Sequence, residues 1–147
     1  MAFKVYSLGY EKKTINEFIK ILEEVKVSIL LDVREFAWSY KQDFRKKSLN
    51  SALAKVGIDY YHISNAGNPK KIRKKYSKPS TVLSKYSEYL NKTESGIIEI
   101  KTMIRTAKRE SKNICLICYE QDFYSCHRSI LLSKIKKSMP RLAVKHL

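Results

Sequence analysis

The stretch VSILLDVRE, residues 27–35, decides the fold. Its apolar run is continuous rather than alternating and has the length of a strand. Strands covered on both faces have this pattern, and they belong mainly to parallel sheets. Upstream, Thr14-Ile15-Asn16-Glu17 forms a capping box, in which the hydroxyl and the carboxylate satisfy free amides at a helix start. Ile15, Phe18, Ile19, Leu22 and Val25 then recur at helical spacing. Before that helix, FKVYSL at 3–8 has strand character and ends at Gly9.

Downstream lies a polar, aromatic loop, EFAWSYKQDF at 35–44. A helix of roughly three turns follows, with Leu49, Leu53 and Val56 on one face and Gly57 as its C-cap. IDYYHIS supplies a third strand. Strand, helix, strand, helix, strand implies right-handed crossovers and a parallel α/β sheet.

The next segment differs. NPKKIRKKYSKPS at 68–80 holds Lys70, Lys71, Arg73, Lys74, Lys75 and Lys78 and no acid, and it predicts an exposed loop or short lid. Helices are expected at about 80–91 and 94–112. The second is amphipathic through Ile97, Ile100, Ile104 and Ala107, with Lys101, Arg105, Lys108 and Arg109 opposite. NICLICYE gives a fourth strand, RSILLSKIKKSM a helix stopped by Pro140, and RLAVKHL a short last strand. The expected fold is one three-layer α/β domain over residues 1–147. It has a mainly parallel sheet of about four to five strands with helices on both faces and a basic insertion at about 66–112.

With 44% hydrophobic and 30% charged residues the chain is globular rather than disordered. Its net charge of +16 favours polyanionic partners, DNA or RNA above all. A lysine-rich solvated surface would give the same figure. No apolar run is long enough to span a membrane. The N-terminus is too short and polar for a secretory signal. Three cysteines make no even disulfide framework, so a reduced, cytoplasmic protein is expected.

In a parallel sheet all strands end at one edge, and ligands of open α/β folds bind there. Gly9-Tyr10-Glu11, Asp32-Val33-Arg34, His62 and Cys118-Tyr119-Glu120 all fall at strand ends. Asp32 and Arg34 share a face by the period of two and can equally form an ordinary ion pair.

YEQDFYSCHRSILL at 119–132 concentrates the chemistry. With Ser125 as N-cap, Cys126, His127 and Arg128 would occupy a first helical turn. Its free amides favour an anion, which Arg128 would clamp. The same field would favour a Cys126 thiolate. Against this, free cysteines are usually buried filler. Arg128 follows Cys126 by two residues and Cys118 by ten, and neither spacing forms the loop of a cysteine phosphatase.

Cys115-Leu116-Ile117-Cys118 has C-x-x-C spacing, but in a strand those cysteines point to opposite faces and do not chelate together. A site from Cys118, Cys126, His127 and His62 is geometrically open, yet no second close pair supports it. The expectation is no metal and no cofactor. Glu120 and Asp32 are candidate general bases or nucleophiles, with His62 or His127 as acid. Equally, Glu120 can pair with Arg128 or cap the next helix. Tyr76, Tyr86 and Tyr89 have helical spacing, which favours a core role over base stacking.

The pieces VYSLGYEKKTINEFIKIL, ILLDVRE, the Ser39 and Phe44 loop, DYYHISNAG and LICYEQDFYSCHRSILL together resemble the family known as domain of unknown function 488. The resemblance implies a compact α/β domain. It places Gly9, Tyr10, Asp32, Arg34, Ser39, Phe44, His62, Gly67, Cys118, Glu120, Cys126, His127 and Arg128 at signature positions. It implies no reaction. Ala37 stands where the family usually has proline, and Ser64 and Asn65 where a proline and an acid usually precede the glycine, which predicts altered loops over the rim.

The resulting expectation is a phosphate-bearing ligand, nucleic acid or nucleotide, held at the carboxyl edge by Tyr10, Arg34, Ser39 and Arg128. Asp32, His62, Glu120, Cys126 and His127 would serve a hydrolase or transferase. The alternative is a non-catalytic nucleic-acid module using Lys70, Lys71, Arg73, Lys74 and Lys75. A third option is a thiol enzyme using Cys126.

Overall fold

The computed structural model describes residues 3–147. Strands β1 (Val5–Gly9), β2 (Val27–Asp32), β3 (Asp59–His62), β4 (Asn113–Cys118) and β5 (Val144–His146) form one sheet in the order β3-β2-β4-β1-β5. Every pairing is parallel. The all-parallel sheet explains the VSILLDVRE pattern: Ile29 and Leu31 pack on one face, Val27 and Leu30 on the other.

Helices α1 (Ile15–Glu24) and α2 (Lys46–Ala54) cover the face carrying Tyr6, Leu8, Leu30, Cys115 and Ile117. Helices α4 (Pro79–Lys92), α5 (Ser95–Arg109) and α6 (Arg128–Ser138) cover the face carrying Val5, Leu31, Leu116 and Cys118. Cys115 and Cys118 thus belong to different cores, as strand geometry requires. Tyr86 is fully buried and donates to the Ala66 carbonyl, which bears out its core role.

The expected capping box is present at α1: Thr14 Oγ1 accepts from Glu17 N, and Glu17 Oε1 accepts from Thr14 N. Thr14→Ala should cost about 1 kcal/mol, read as a lowered urea midpoint with an unchanged slope. At the end of α2, Gly57 adopts φ 75° while Ile58 N–H donates back to the Leu53 carbonyl. This closes a Schellman turn that a side-chain-bearing residue would strain.

Two local expectations fail. The basic run is not a loop throughout, because Lys70–Lys75 form a short helix, α3, entered through Pro69. No residue of α3 is buried. Val56 is exposed rather than on the packed face of α2. No helix among the described residues is long and apolar enough to cross a membrane.

The topology fixes where a site forms. The chain leaves β1 and β2 for helices on one face, and leaves β4 for α6 on the other. The loops therefore diverge around the carboxyl end of β4, where a crevice opens. Gly9 lets the β1 loop approach closely: a Cβ there would collide with the backbone carbonyl of Glu120.

Candidate functional site

A cleft of about 930 Å³ opens at that edge. Tyr10, Arg34, Cys118, Glu120 and His127 contribute from the strand ends and from the start of α6. The loop after β2 adds Phe36, Trp38, Ser39, Tyr40 and Lys41, and the segment around α3 adds Asn68, Lys70, Arg73 and Tyr76. Phe36, Trp38, Tyr40 and Tyr119 are large exposed aromatics. The Arg45 guanidinium lies over the Trp38 ring at 4.9 Å and steadies that wall. Asn68 Oδ1 is buried with no hydrogen-bond partner.

Several expected site residues have structural duties instead. Asp32 is fully buried. Its carboxylate receives Arg34 Nε at 2.8 Å, Arg34 Nη2 at 2.6 Å and the Tyr60 hydroxyl at 2.5 Å. With its acceptors filled, and lying outside the cleft lining, it is not placed to act as a general base. Arg34 also donates to the Tyr10 hydroxyl at 3.2 Å. Burial works against the Arg34 charge, but the Asp32 bonds and charge outweigh it and raise its pKa. Tyr10 stacks on Phe44, with ring centroids 4.4 Å apart, so its ring is a wall and not a mobile ligand.

His62 sits at the end of the edge strand β3. Its Nε2 bonds the Arg34 carbonyl at 2.7 Å, outside the cleft. Ser39 shapes a turn: its Oγ accepts from Lys41 N–H and its carbonyl from Arg45 Nε. Asn65, where the family usually has an acid, is exposed and bonds Ser95 Oγ, outside the cleft lining.

The predicted helix start is also displaced. Phe123–Ser125 form a single 3-10 turn capped by Asp122, whose Oδ1 accepts from Tyr124 N–H. Helix α6 begins only at Arg128. Arg128 is 1% exposed. It gives Nη1 to Ser7 Oγ at 2.6 Å, Nη2 to the Glu120 carbonyl at 2.7 Å and Nε to Cys126 Sγ at 3.3 Å. It is an internal brace rather than an anion clamp. Burial lowers its pKa. Cys126 is fully buried, so it faces no substrate as a nucleophile.

What the structure does assemble is a compact cluster at the cleft floor. One ligand-type atom each from Cys118, Glu120, Cys126 and His127 lies within 4.8 Å of all the others. The sulfurs of Cys118 and Cys126 are in contact, although their Cα atoms stand 7.8 Å apart. The two sulfurs are close enough to be bonded, yet that Cα separation is wider than a relaxed disulfide spans. Glu120 Oε2 lies 3.5 Å from Cys118 Sγ. His127 Nδ1 lies 3.6 Å from Cys126 Sγ, and Nε2 bonds the Val33 carbonyl at 2.8 Å. Burial pushes the His127 pKa down to about 4, with the Val33 bond opposing, so the ring is neutral. Cys115 is separate: it lies in the opposite core, and burial raises its thiol pKa strongly.

Of the expected residues, the structure brings Tyr10, Arg34, Ser39, Glu120, His127, Lys70 and Arg73 to the cleft and places Cys126 beneath it. Lys71, Lys74 and Lys75 are exposed on α3 outside the lining. The aromatic wall was missed as part of the site, and Cys118 was weighed at the rim and as a metal ligand but left out of the catalytic and binding residues. The aromatic density of EFAWSYKQDF, just after a strand end, was the available signal.

The profile of the family described as "Domain of unknown function DUF488" matches residues 14–135. The chain belongs to this family. No curated protein matches the chain, and no solved structure does.

Proposed function

We propose that the cleft at the carboxyl edge binds a phosphate-bearing ligand, a nucleotide or a short single-stranded nucleic acid, and acts on it as a hydrolase or transferase. The observation that carries this reading is a lining that combines exposed aromatic rings with cationic side chains. Phe36, Trp38, Tyr40 and Tyr119 supply the rings, and Lys70 and Arg73 the cations, with Arg73 Nε held by the Asn68 carbonyl and Nη2 4.0 Å from Glu35. Rings of this kind stack on bases, and arginine forks match phosphate oxygens. Glu120 lies in the lining and is partly exposed, unlike Asp32. It is the carboxylate available to take a proton from an attacking water or hydroxyl.

Trp38 is the chain's single tryptophan and lies in the aromatic wall. Titrating ATP, and separately a short oligothymidylate, should therefore quench its fluorescence. Arg73→Ala should weaken the quenching by about tenfold, the scale of one lost charge-assisted bond. Lys75→Ala, on the same helix but outside the cleft, should change it little. Unquenched fluorescence, or equal losses from both variants, would remove the reading.

A second reading rests on α3 itself, which carries Lys70, Lys71, Arg73, Lys74 and Lys75 and buries nothing. As a plain nucleic-acid-binding surface it would give affinity falling steeply with salt and indifferent to Glu120.

A further inference from the structure

We propose that Cys118, Cys126, His127 and Glu120 form a binding site for one divalent transition-metal ion, zinc by the chemistry of its donors. Two thiolates, an imidazole nitrogen and a carboxylate oxygen are the donor types of tetrahedral zinc sites. The softness of two sulfurs selects against magnesium and calcium. All these atoms already lie within 4.8 Å of one another. They come from two segments, the end of β4 and the turn before α6, which the fold holds together independently through the Glu120 carbonyl and Arg128.

The surroundings favour a metal over an accidental cluster. His127 Nε2 donates to the Val33 carbonyl at 2.8 Å. A carbonyl only accepts, so that nitrogen carries the proton and Nδ1 turns its lone pair toward the sulfurs. Metal-bound histidines are oriented by this kind of second bond. Cys126 Sγ receives Arg128 N–H at 3.5 Å and Arg128 Nε–H at 3.3 Å, donors suited to a thiolate. Charge completes the argument. Two thiolates and a carboxylate carry three negative charges, and Arg128 is the one guanidinium bonded into the cluster. A divalent ion together with Arg128 would balance that set. The other arrangement open to two sulfurs this close is a disulfide, and their Cα separation of 7.8 Å exceeds what a relaxed one spans.

Access follows from the position. Cys118, Glu120 and His127 line the open cleft, whereas Cys126 is sealed behind them. Glu120 is the least buried of the four. It is therefore the donor that a water or a ligand oxygen would displace, which gives the ion an open position toward the cleft.

The site is testable on the full-length protein, reduced with a phosphine under anaerobic conditions and titrated with cobalt(II) chloride. One equivalent per chain should bind, with sulfur-to-cobalt charge transfer in the near ultraviolet and tetrahedral d–d bands in the visible. Zinc should bleach both. Cys118→Ser and Cys126→Ser should each lose charge-transfer intensity, and Glu120→Gln should retain it with weaker affinity. His62→Ala, outside the cluster, should match the parent. Circular dichroism confirms that each variant is folded. Absent charge transfer in the folded, reduced parent would overturn the site without reference to any variant. So would mass-spectrometric recovery of Cys118 and Cys126 as a disulfide that the phosphine cannot open. No nucleotide enters the titration, so its failure leaves the Trp38 quenching result standing, and the reverse holds too.

Discussion

Arg34→Ala is expected to destabilise the fold by about 3–5 kcal/mol, the scale for stripping one partner from a buried ion pair. The substitution leaves Asp32 fully buried with only the Arg34 backbone N–H and the Tyr60 hydroxyl as donors. It also frees the Tyr10 hydroxyl, which receives Arg34 Nη1. Urea denaturation followed by circular dichroism measures the loss. Adding Asp32→Asn to Arg34→Ala should recover part of it, because the stranded charge is then gone. A cost under about 1 kcal/mol for Arg34→Ala, the range of exposed pairs, would mean that the pair is not the brace described here. It would also reopen Arg34 as a ligand-binding group.

Arg128→Ala should be nearly as damaging and should act at a different place. Ser7 Oγ, the Glu120 carbonyl and Cys126 Sγ each lose a donor. At about 1–3 kcal/mol for each buried group left unsatisfied, a loss of roughly 3 kcal/mol or more is expected. Arg128→Lys should rescue little, since one ammonium on a flexible stem cannot reproduce a planar fork that reaches three acceptors. Thiol accessibility gives an independent check. Without the brace, Cys118 and Cys126 should react with a maleimide faster than in the parent protein, while Cys115, in the opposite core, should not change. Unaltered stability combined with lost nucleotide binding would instead assign Arg128 to the ligand.

The difference between these two arginines and the sequence-based expectation is instructive. Both stand at strand or helix ends, where a pattern predicts an anion site, and both are spent inside the protein. Whether an arginine faces solvent depends on the segments brought beside it. Ser7 lies far from Arg128 along the chain, and no spacing rule connects them. His127 shows the same limit in the other direction. Its neighbour Cys126 was visible in the motif, but its partner Val33 is the residue that follows β2. By contrast, local features were legible. The apolar run of β2, the Thr14 capping box, the turn at Gly57 and the opposite facing of Cys115 and Cys118 depend on periods of two or 3.6 residues. The parallel sheet followed from element order, and the rim location followed from the sheet. Helix α3 was missed because six residues rich in lysine lack the apolar periodicity by which a helix is recognised.

The strand order has a consequence for how the chain is made. β1 and β2 are not neighbours; β4 lies between them and pairs with both. A nascent chain that has emerged only as far as α5 therefore holds β1 on one side and β2 with β3 on the other, with no strand to join them. The sheet closes when its central strand arrives late from the ribosome. Cys118 and Glu120 ride in at the end of that strand, just ahead of Cys126 and His127. The closing of the sheet and the assembly of the cluster are thus one event, and a chain stalled before residue 113 has neither.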